Sequence, residues 1–262
     1  MIETGYPNVH DKGRIIAHRG ASQTAPENTL AAFRKALEQG VRWVEFDVSL
    51  LGDATPVIHH DDTLDRCTDG SGPLSEIGRK DLATIRAGKL HGPAFAKEKI
   101  PVLDAALDLF ETAGMFANLE MKPHDGAPGA LAAVVHEALS KRSWSAERII
   151  VSSFDHDELA ALRNRMPEIP LAALWVEPPK DFRTVLNGLE AAAAHIHYPH
   201  LSQSFLQEAT SYGFDVRVYT VNEISVMAPF RDLGLTSVIT DHPPMFLDDP
   251  DWADWANQDA AA

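Results

Sequence analysis

The sequence predicts an α/β protein, a (β/α)8 TIM barrel with a small insertion after the second strand. Short β-type runs alternate with helical patterns along most of the 262 residues. Once one hairpin arm is set aside, eight runs qualify as parallel strands. Repeated βα units of that number favour a closed barrel over an open doubly wound sheet. The length also suits one barrel domain, which commonly takes about 250 residues. No Gly-x-Gly-x-x-Gly follows the first strand, which weakens a dinucleotide-binding alternative.

The first strand is residues 14–18, Arg-Ile-Ile-Ala-His. Asn28 or Thr29 then caps a helix whose apolar face is Leu30, Phe33, Leu37 and Val41, with Gly40 as its stop. The second strand is residues 43–50. Gly52-Asp53 turns the chain into residues 55–60. That link is too short for a parallel crossover, so this run returns as a hairpin arm. Residues 61–99 are rich in Asp, Gly, Lys and Pro and read as an excursion above the barrel that shapes a pocket mouth. Alternation resumes with a helix at 103–112 and a strand at 116–121. Further strands fall at 148–153, 171–176, 195–199, 215–221 and 237–240, with helices at 130–139, 158–166, 182–191 and 204–212. One domain thus spans 1–247. Residues 248–262 form an acidic tail, expected to be mobile, with Trp252 and Trp255 tacking it down.

Apolar residues make up 45% of the chain, enough for a substantial core. The formal charge is 23 − 38 = −15. Nucleic acid and stable membrane association are therefore not expected, because both call for basic surface. An anionic substrate would need local compensation from a bound cation and a few basic residues. The single cysteine, Cys67, permits no intrachain disulfide and reads as inert. The N-terminal stretch lacks the apolar core of a signal peptide, and no apolar run is long enough to span a bilayer. A cytoplasmic location is the expectation.

In barrel enzymes the chemistry gathers at the C-terminal ends of the strands. His18-Arg19 ends the first strand here, and Glu45 and Asp47 lie in the second. Glu120 and Lys122 end the third, Ser152-Ser153 the fourth and Thr240-Asp241 the last, while His60-Asp61 ends the hairpin arm. Glu45 and Asp47 are two apart and share one side of their strand, leaving Phe46 and Val48 to face the helices. Paired carboxylates inside a barrel repel and are costly to bury, and a divalent cation removes that cost. Glu120 on the next strand supplies a third oxygen ligand. Three carboxylates suit Mg²⁺ or Ca²⁺ better than Zn²⁺. Lys122 enters the same cavity to meet an anionic group. His18 and His60 suit proton traffic near neutral pH. Metal, basic groups and two imidazoles together describe a phosphoryl-transfer site.

The ordered motifs His18-Arg19-Gly20, Pro26-Glu27-Asn28-Thr29, Glu45-Phe46-Asp47 and His60-Asp61 resemble the glycerophosphodiester phosphodiesterase signature. So do Leu119-Glu120-Met121-Lys122, Ser152-Ser153-Phe154, Thr220-Val221-Asn222 and Thr240-Asp241-His242-Pro243. The resemblance covers about residues 14–247. It implies a (β/α)8 barrel with a small insertion, hydrolysing glycerophosphodiesters to sn-glycerol 3-phosphate and an alcohol. Glu45, Asp47 and Glu120 would hold the metal, His18 and His60 would form the acid/base pair, and Arg19 and Lys122 would hold phosphate. Ser153, Phe154 and Tyr219 are candidates to line the substrate pocket. His60 is preferred over His59 because the family pattern pairs it with Asp61. The missing signal peptide resembles the family's cytoplasmic branch. Two departures stand out: Gly52-Asp53-Ala54 replaces the usual Asp-Gly turn, and Tyr219 stands where Trp is common.

Several readings stay open at this point. Glu27 fits a helix-start acid as well as a site residue, and Asp241 fits a cap as well as a support for the site. His195 and His197 read as structural, with His197 left open as a ligand contact. The first base, the nucleophile (a neighbouring glycerol hydroxyl or water), the head-group alcohol, the metal and the oligomeric state are not fixed. A barrel phospholipase and a non-catalytic phosphodiester-binding barrel are the rivals. The polar excursion argues against the first, and the paired histidines argue against the second.

Overall fold

The computed structural model describes residues 4–9, 11, 13–89, 91–124 and 126–257. Its elements run β1 (Ile15–Ala17), α1 (Leu30–Glu38), β2 (Trp43–Leu50), β3 (Pro56–Ile58), α2 (Leu103–Ala113), β4 (Phe116–Met121) and α3 (Ala130–Leu139). There follow α4 (Ser145–Arg148), β5 (Ile149–Ser153), α5 (His156–Arg163), β6 (Leu171–Trp175), α6 (Phe182–Leu189) and β7 (Ala193–His197). The chain ends with α7 (Gln203–Ser211), β8 (Asp215–Tyr219), β9 (Ser237–Thr240), α8 (Pro244–Leu247) and α9 (Pro250–Asn257). The sheet order is β1-β9-β8-β7-β6-β5-β4-β2-β3, and a β1–β2 pairing closes it. Eight of the strands pair in parallel, which makes the (β/α)8 barrel. β3 is antiparallel to the end of β2, with Val48 opposite Ile58, as the short turn dictates.

The β2 alternation sets the layers. Val44, Phe46 and Val48 point outward beneath the helices and join the main core. There Phe33 of α1 meets Phe46 and Phe110 edge-on, with centroids 5.9 and 5.2 Å away. Trp43 points inward and packs low in the barrel with Ile16, Ile150, Ala172, Ala193 and Ile239. His195 and Arg217 lie side by side in the β7–β8 register, fully buried inside the barrel. The Arg217 guanidinium lies over the Trp43 ring, 4.9 Å from its centre. Burial pushes Arg217 down to about 10 and His195 well below the usual imidazole range. His195 is thus a neutral interior residue, in line with its structural reading.

The excursion has a core of its own, built from Leu51, Val57, Leu64, Leu74, Leu82, Ile85, Ala87 and Ile100. It holds three one-turn 3-10 helices, so its apolar residues follow no regular period. Ala54, in the departing turn, takes φ 62, a conformation that glycine adopts more easily.

Of the two cap candidates, Thr29 caps α1: its hydroxyl accepts the Ala32 N–H, while Asn28 takes φ 57 and turns its amide toward Asp47. Local details differ from the sequence expectation in three places. The buried stripe of α1 is Ala32, Phe33 and Ala36, and Leu37, expected on the inner face, lies outside that stripe at 36% exposed. β7 starts two residues before the expected 195, because the alanine run ahead of it carries no periodic signal. α5 starts at His156, because the Asp155 carboxylate caps it by accepting from the Asp157 and Glu158 N–H groups. Beyond residue 247 two residues bend the chain into α9 (Pro250–Asn257), with Trp252 against Phe246 at 5.2 Å and Trp255 at 5.1 Å. The rest of the acidic tail, 258–262, lies outside the described residues.

Glu158 shows how the helical layer is tied together. It is 2% exposed, and its two oxygens accept the Gly129 and Ala132 N–H groups at 2.6 and 2.8 Å. It therefore caps α3 from α5, replacing the side chain that Gly129 lacks. Glu158→Ala is expected to lower stability by about 2–3 kcal/mol in urea unfolding, since charge-assisted bonds are lost and two donors are orphaned. A loss below about 0.5 kcal/mol would show that water replaces the cap.

Candidate active site

The inward residues at the C-terminal ends of β1, β2 and β4 converge on one group of carboxylates. Glu45, Asp47 and Glu120 are all buried, and each offers an oxygen within 4.8 Å of the others. The register puts Asp47 directly beside Glu120. Crowding shows in their ionisation. Burial, then Asp47 and Glu120, push the Glu45 carboxyl well above its ordinary range. Burial and Asp47 push Glu120 up to about 7, against the pull of Lys122. Burial also works to raise Asp47, but Arg19, His60, Lys122 and the Asn28 amide outweigh it and hold Asp47 low.

Basic groups frame these acids. Arg19 Nε lies 3.2 Å from Asp47, and the Arg19 backbone N–H donates to Glu45 Oε2 at 3.0 Å. Lys122 Nζ lies 2.8 Å from Glu120 and 3.8 Å from Asp47. Burial alone would lower Lys122, but Glu120 and Asp47 raise it above its ordinary value. Both cations stay charged, and each lines one of two cavities.

Each histidine is held by its own aspartate. His18 Nδ1–H donates to Asp241 at 2.6 Å, which leaves Nε2 facing Glu45 at 3.8 Å. Asp241 in turn accepts from Ser22 Oγ and Asn222 Nδ2 at 2.9 and 2.6 Å. His60 Nδ1–H donates to Asp61 at 2.6 Å. A carboxylate only accepts, so both rings carry their proton on Nδ1 and leave Nε2 for chemistry. Burial, helped by Arg19 and Lys122, lowers the His60 imidazole below its ordinary value although Asp47 and Asp61 oppose it.

Two cavities flank the carboxylates. The larger, about 410 Å³, reaches His60, Glu120, Lys122 and Phe154. The smaller, about 260 Å³, is lined by His18, Arg19, Glu27, Asn222 and Asp241. Phe154 is 44% exposed at the mouth, edge-on to Tyr219 at 6.1 Å and 5.7 Å from Lys122 Nζ. The Tyr219 hydroxyl donates to the Trp175 carbonyl, so its ring is fixed as a wall. His197 lies against that wall, with ring centres 5.7 Å apart. Ser153 is fully buried. Its hydroxyl donates to Met121 O and accepts from Asp155 N–H, so it shapes the loop that presents Phe154.

The sequence-derived His18, Arg19, Glu45, Asp47, His60, Glu120 and Lys122 thus all come to one end of the barrel. The supporting shell was less legible. Asn28 pairs with Asp47 in both directions, its amide donating and its oxygen accepting the Asp47 N–H. Its place in Pro-Glu-Asn-Thr suggested only a cap. His124, which lines the larger cavity and hydrogen-bonds Ser49, carried no motif signal at all.

Glu27 lies ahead of the Thr29 cap, outside the first turn of α1, and lines the smaller cavity instead. It accepts from Arg19 Nη1 and from both terminal nitrogens of Arg66. Burial would raise it, but Arg66 and Arg19 lower it from 4.5 to about 2. Asp241 is likewise lowered from 3.8 to about 2, as the bonds from His18, Asn222 and Ser22 overcome burial. Folded-state values below the unfolded ones give stability that is present above about pH 4.5 and is lost as pH falls towards about 2. The thermal midpoint should therefore fall across that window, with only a modest share from Glu27 because its Arg66 partner is 46% exposed and the pair is screened by water. Glu27→Gln should flatten the fall, and an unchanged slope in that variant would remove Glu27 as a contributor.

The model described as the glycerophosphoryl diester phosphodiesterase family matches residues 18–245. A glycerophosphodiester phosphodiesterase of Caldanaerobacter subterraneus is 30% identical over 240 residues, covering 90% of this chain and 97% of the relative. The structure of an Oleispira antarctica phosphodiesterase in complex with its product sn-glycerol 3-phosphate is 34% identical. It has a TM-score of 0.86 and covers 92% of this chain and 96% of that one. A glycerophosphodiester phosphodiesterase structure from Agrobacterium tumefaciens is 26% identical at a TM-score of 0.73, covering 90% of this chain and all of its own.

Proposed function

This chain belongs to the glycerophosphoryl diester phosphodiesterase family and is a glycerophosphodiester phosphodiesterase, and we propose that it works with a divalent cation and two histidines. The observation that carries this reading is the buried carboxylate trio with a His–Asp pair close by on each side. Glu45 Oε1 is buried and has no hydrogen-bond partner, an arrangement suited to a ligand atom awaiting a cation. Glu45, Asp47 and Glu120 would hold Mg²⁺ or Ca²⁺, given their all-oxygen donor set. The cation would supply positive charge beside the phosphodiester.

Arg19 and Lys122 pair with the nonbridging phosphate oxygens and orient the diester. One histidine takes the proton of the attacking oxygen at Nε2. The other gives its Nε2 proton to the oxygen of the departing alcohol as the P–O bond breaks. Phe154 walls the larger cavity, with Tyr219 edge-on beside it, and part of the diester would lie there. The negative overall charge argues against docking on anionic membranes and favours small water-borne diesters.

The test is release of sn-glycerol 3-phosphate from glycerophosphocholine by EDTA-treated protein, before and after addition of Mg²⁺ or Ca²⁺. Release that requires the metal supports the reading. Full release with metal stripped, checked by elemental analysis, would overturn its metal half.

A further inference from the structure

Arg66 belongs to the excursion and plays no part in the chemistry described above, yet its guanidinium spans two of the supports. Its Nε and Nη2 donate to the two oxygens of Asp61 at 2.6 and 2.9 Å. Its Nη1 and Nη2 donate to the two oxygens of Glu27 at 2.7 and 2.9 Å. Asp61 holds the His60 ring, and Glu27 holds the Arg19 guanidinium. A continuous chain therefore runs from His60 through Asp61, Arg66 and Glu27 to Arg19, and Arg19 reaches Asp47.

We propose that Arg66 is a positioning residue for phosphodiester cleavage, fixing His60 and Arg19 relative to each other across the site. This rests on the function proposed above. His60 and Asp61 follow the hairpin arm at the edge of the excursion, whereas Arg19 and Glu27 sit on the loop between β1 and α1. The excursion packs around its own small core, separate from the main one. The backbone ahead of His60 is tied to β2, since His59 N–H donates to Asp47 O and Ser49 Oγ donates to the His59 carbonyl, but these bonds leave the His60 ring itself to be oriented through Asp61. A planar fork with five N–H donors can grip two carboxylates at once, and an ammonium group cannot reproduce that geometry. Arg66 is also 46% exposed at its side chain, so its ion pairs are expected to add little to folding. Its contribution falls on geometry.

The experiment compares Arg66→Ala and Arg66→Lys with wild type on glycerophosphocholine, reading kcat, KM and thermal midpoint. Arg79→Ala, an exposed arginine of the same excursion, controls for loss of one positive charge. Wild-type turnover is read first, and its absence would strike the function reading itself. With wild type active, Arg66→Ala is expected to lower kcat by about 30- to 100-fold, with KM changed by less than about fivefold. The midpoint should stay within about 2 °C of wild type. Arg66→Lys should recover only part of the loss, and added guanidinium ion should restore part of the Arg66→Ala rate. Arg66→Ala combined with Glu27→Gln should cost less than the product of the two single effects, because both break one chain. Turnover of Arg66→Ala within threefold of wild type would overturn the proposal. So would an equal loss in Arg79→Ala, or a loss that follows a falling midpoint and that guanidinium does not relieve.

Discussion

Glu45→Gln is expected to reduce turnover by about a thousandfold or more, the scale of several kcal/mol of lost transition-state charge stabilisation. It should do so without harming the metal-free fold. Glutamine has the shape of a protonated glutamate, and the Glu45 carboxyl is already pushed well above its ordinary range by burial, Asp47 and Glu120. The side-chain oxygen that accepts the Arg19 N–H is kept. What disappears is the one carboxyl of the three that burial and its two neighbours most resist ionising. The metal-free midpoint of the variant should therefore equal or exceed that of wild type at neutral pH. The response to metal should reverse the order. A ligand at about 100 times its Kd stabilises the folded state by about 2.7 kcal/mol, which raises the midpoint by several degrees in a chain of this length. Glu45→Gln should lose most of that rise while remaining folded. A variant that keeps both the metal-induced rise and turnover within tenfold of wild type would refute the assignment of Glu45 as a ligand.

The parts of this site that are legible in sequence are those fixed by local periodicity. The two-residue repeat of a strand is enough to put Glu45 with Asp47, and Glu120 with Lys122, on the inner side of β2 and β4. The hairpin followed from a turn too short for anything else. The supporting groups depend on closure of the barrel, which no local pattern encodes. Asp241 reaches His18 only because β9 pairs with β1, a contact across 223 residues. Asn28 faces Asp47 because its backbone takes a left-handed turn before α1, and a capping motif gives no sign of that. Arg66 lies in the irregular excursion, where neither period applies. Leu37 shows the reverse case. A plausible helical stripe pointed it inward, but the helix presents Ala32, Phe33 and Ala36 to the sheet instead.

The two histidines can be told apart by changing the leaving group. His18→Ala and His60→Ala should each lower kcat on glycerophosphocholine by about 10²–10⁴, the usual worth of general acid–base catalysis. The double variant should fall little further, since the two groups serve one transition state. Choline leaves as an alkoxide that needs a proton, whereas p-nitrophenol leaves as a stable anion. On a p-nitrophenyl ester of glycerol 3-phosphate, the variant lacking the acid should recover to within about tenfold of wild type. The variant lacking the base should stay impaired, because its attacking oxygen still has to lose a proton. The fixed Nδ1 protons on Asp241 and Asp61 leave each ring one working nitrogen, so the two roles cannot be exchanged within a ring. Equal recovery of both variants would show that neither imidazole is the dedicated acid. Turnover within threefold of wild type in either single variant, on the choline substrate, would remove that histidine from proton transfer altogether.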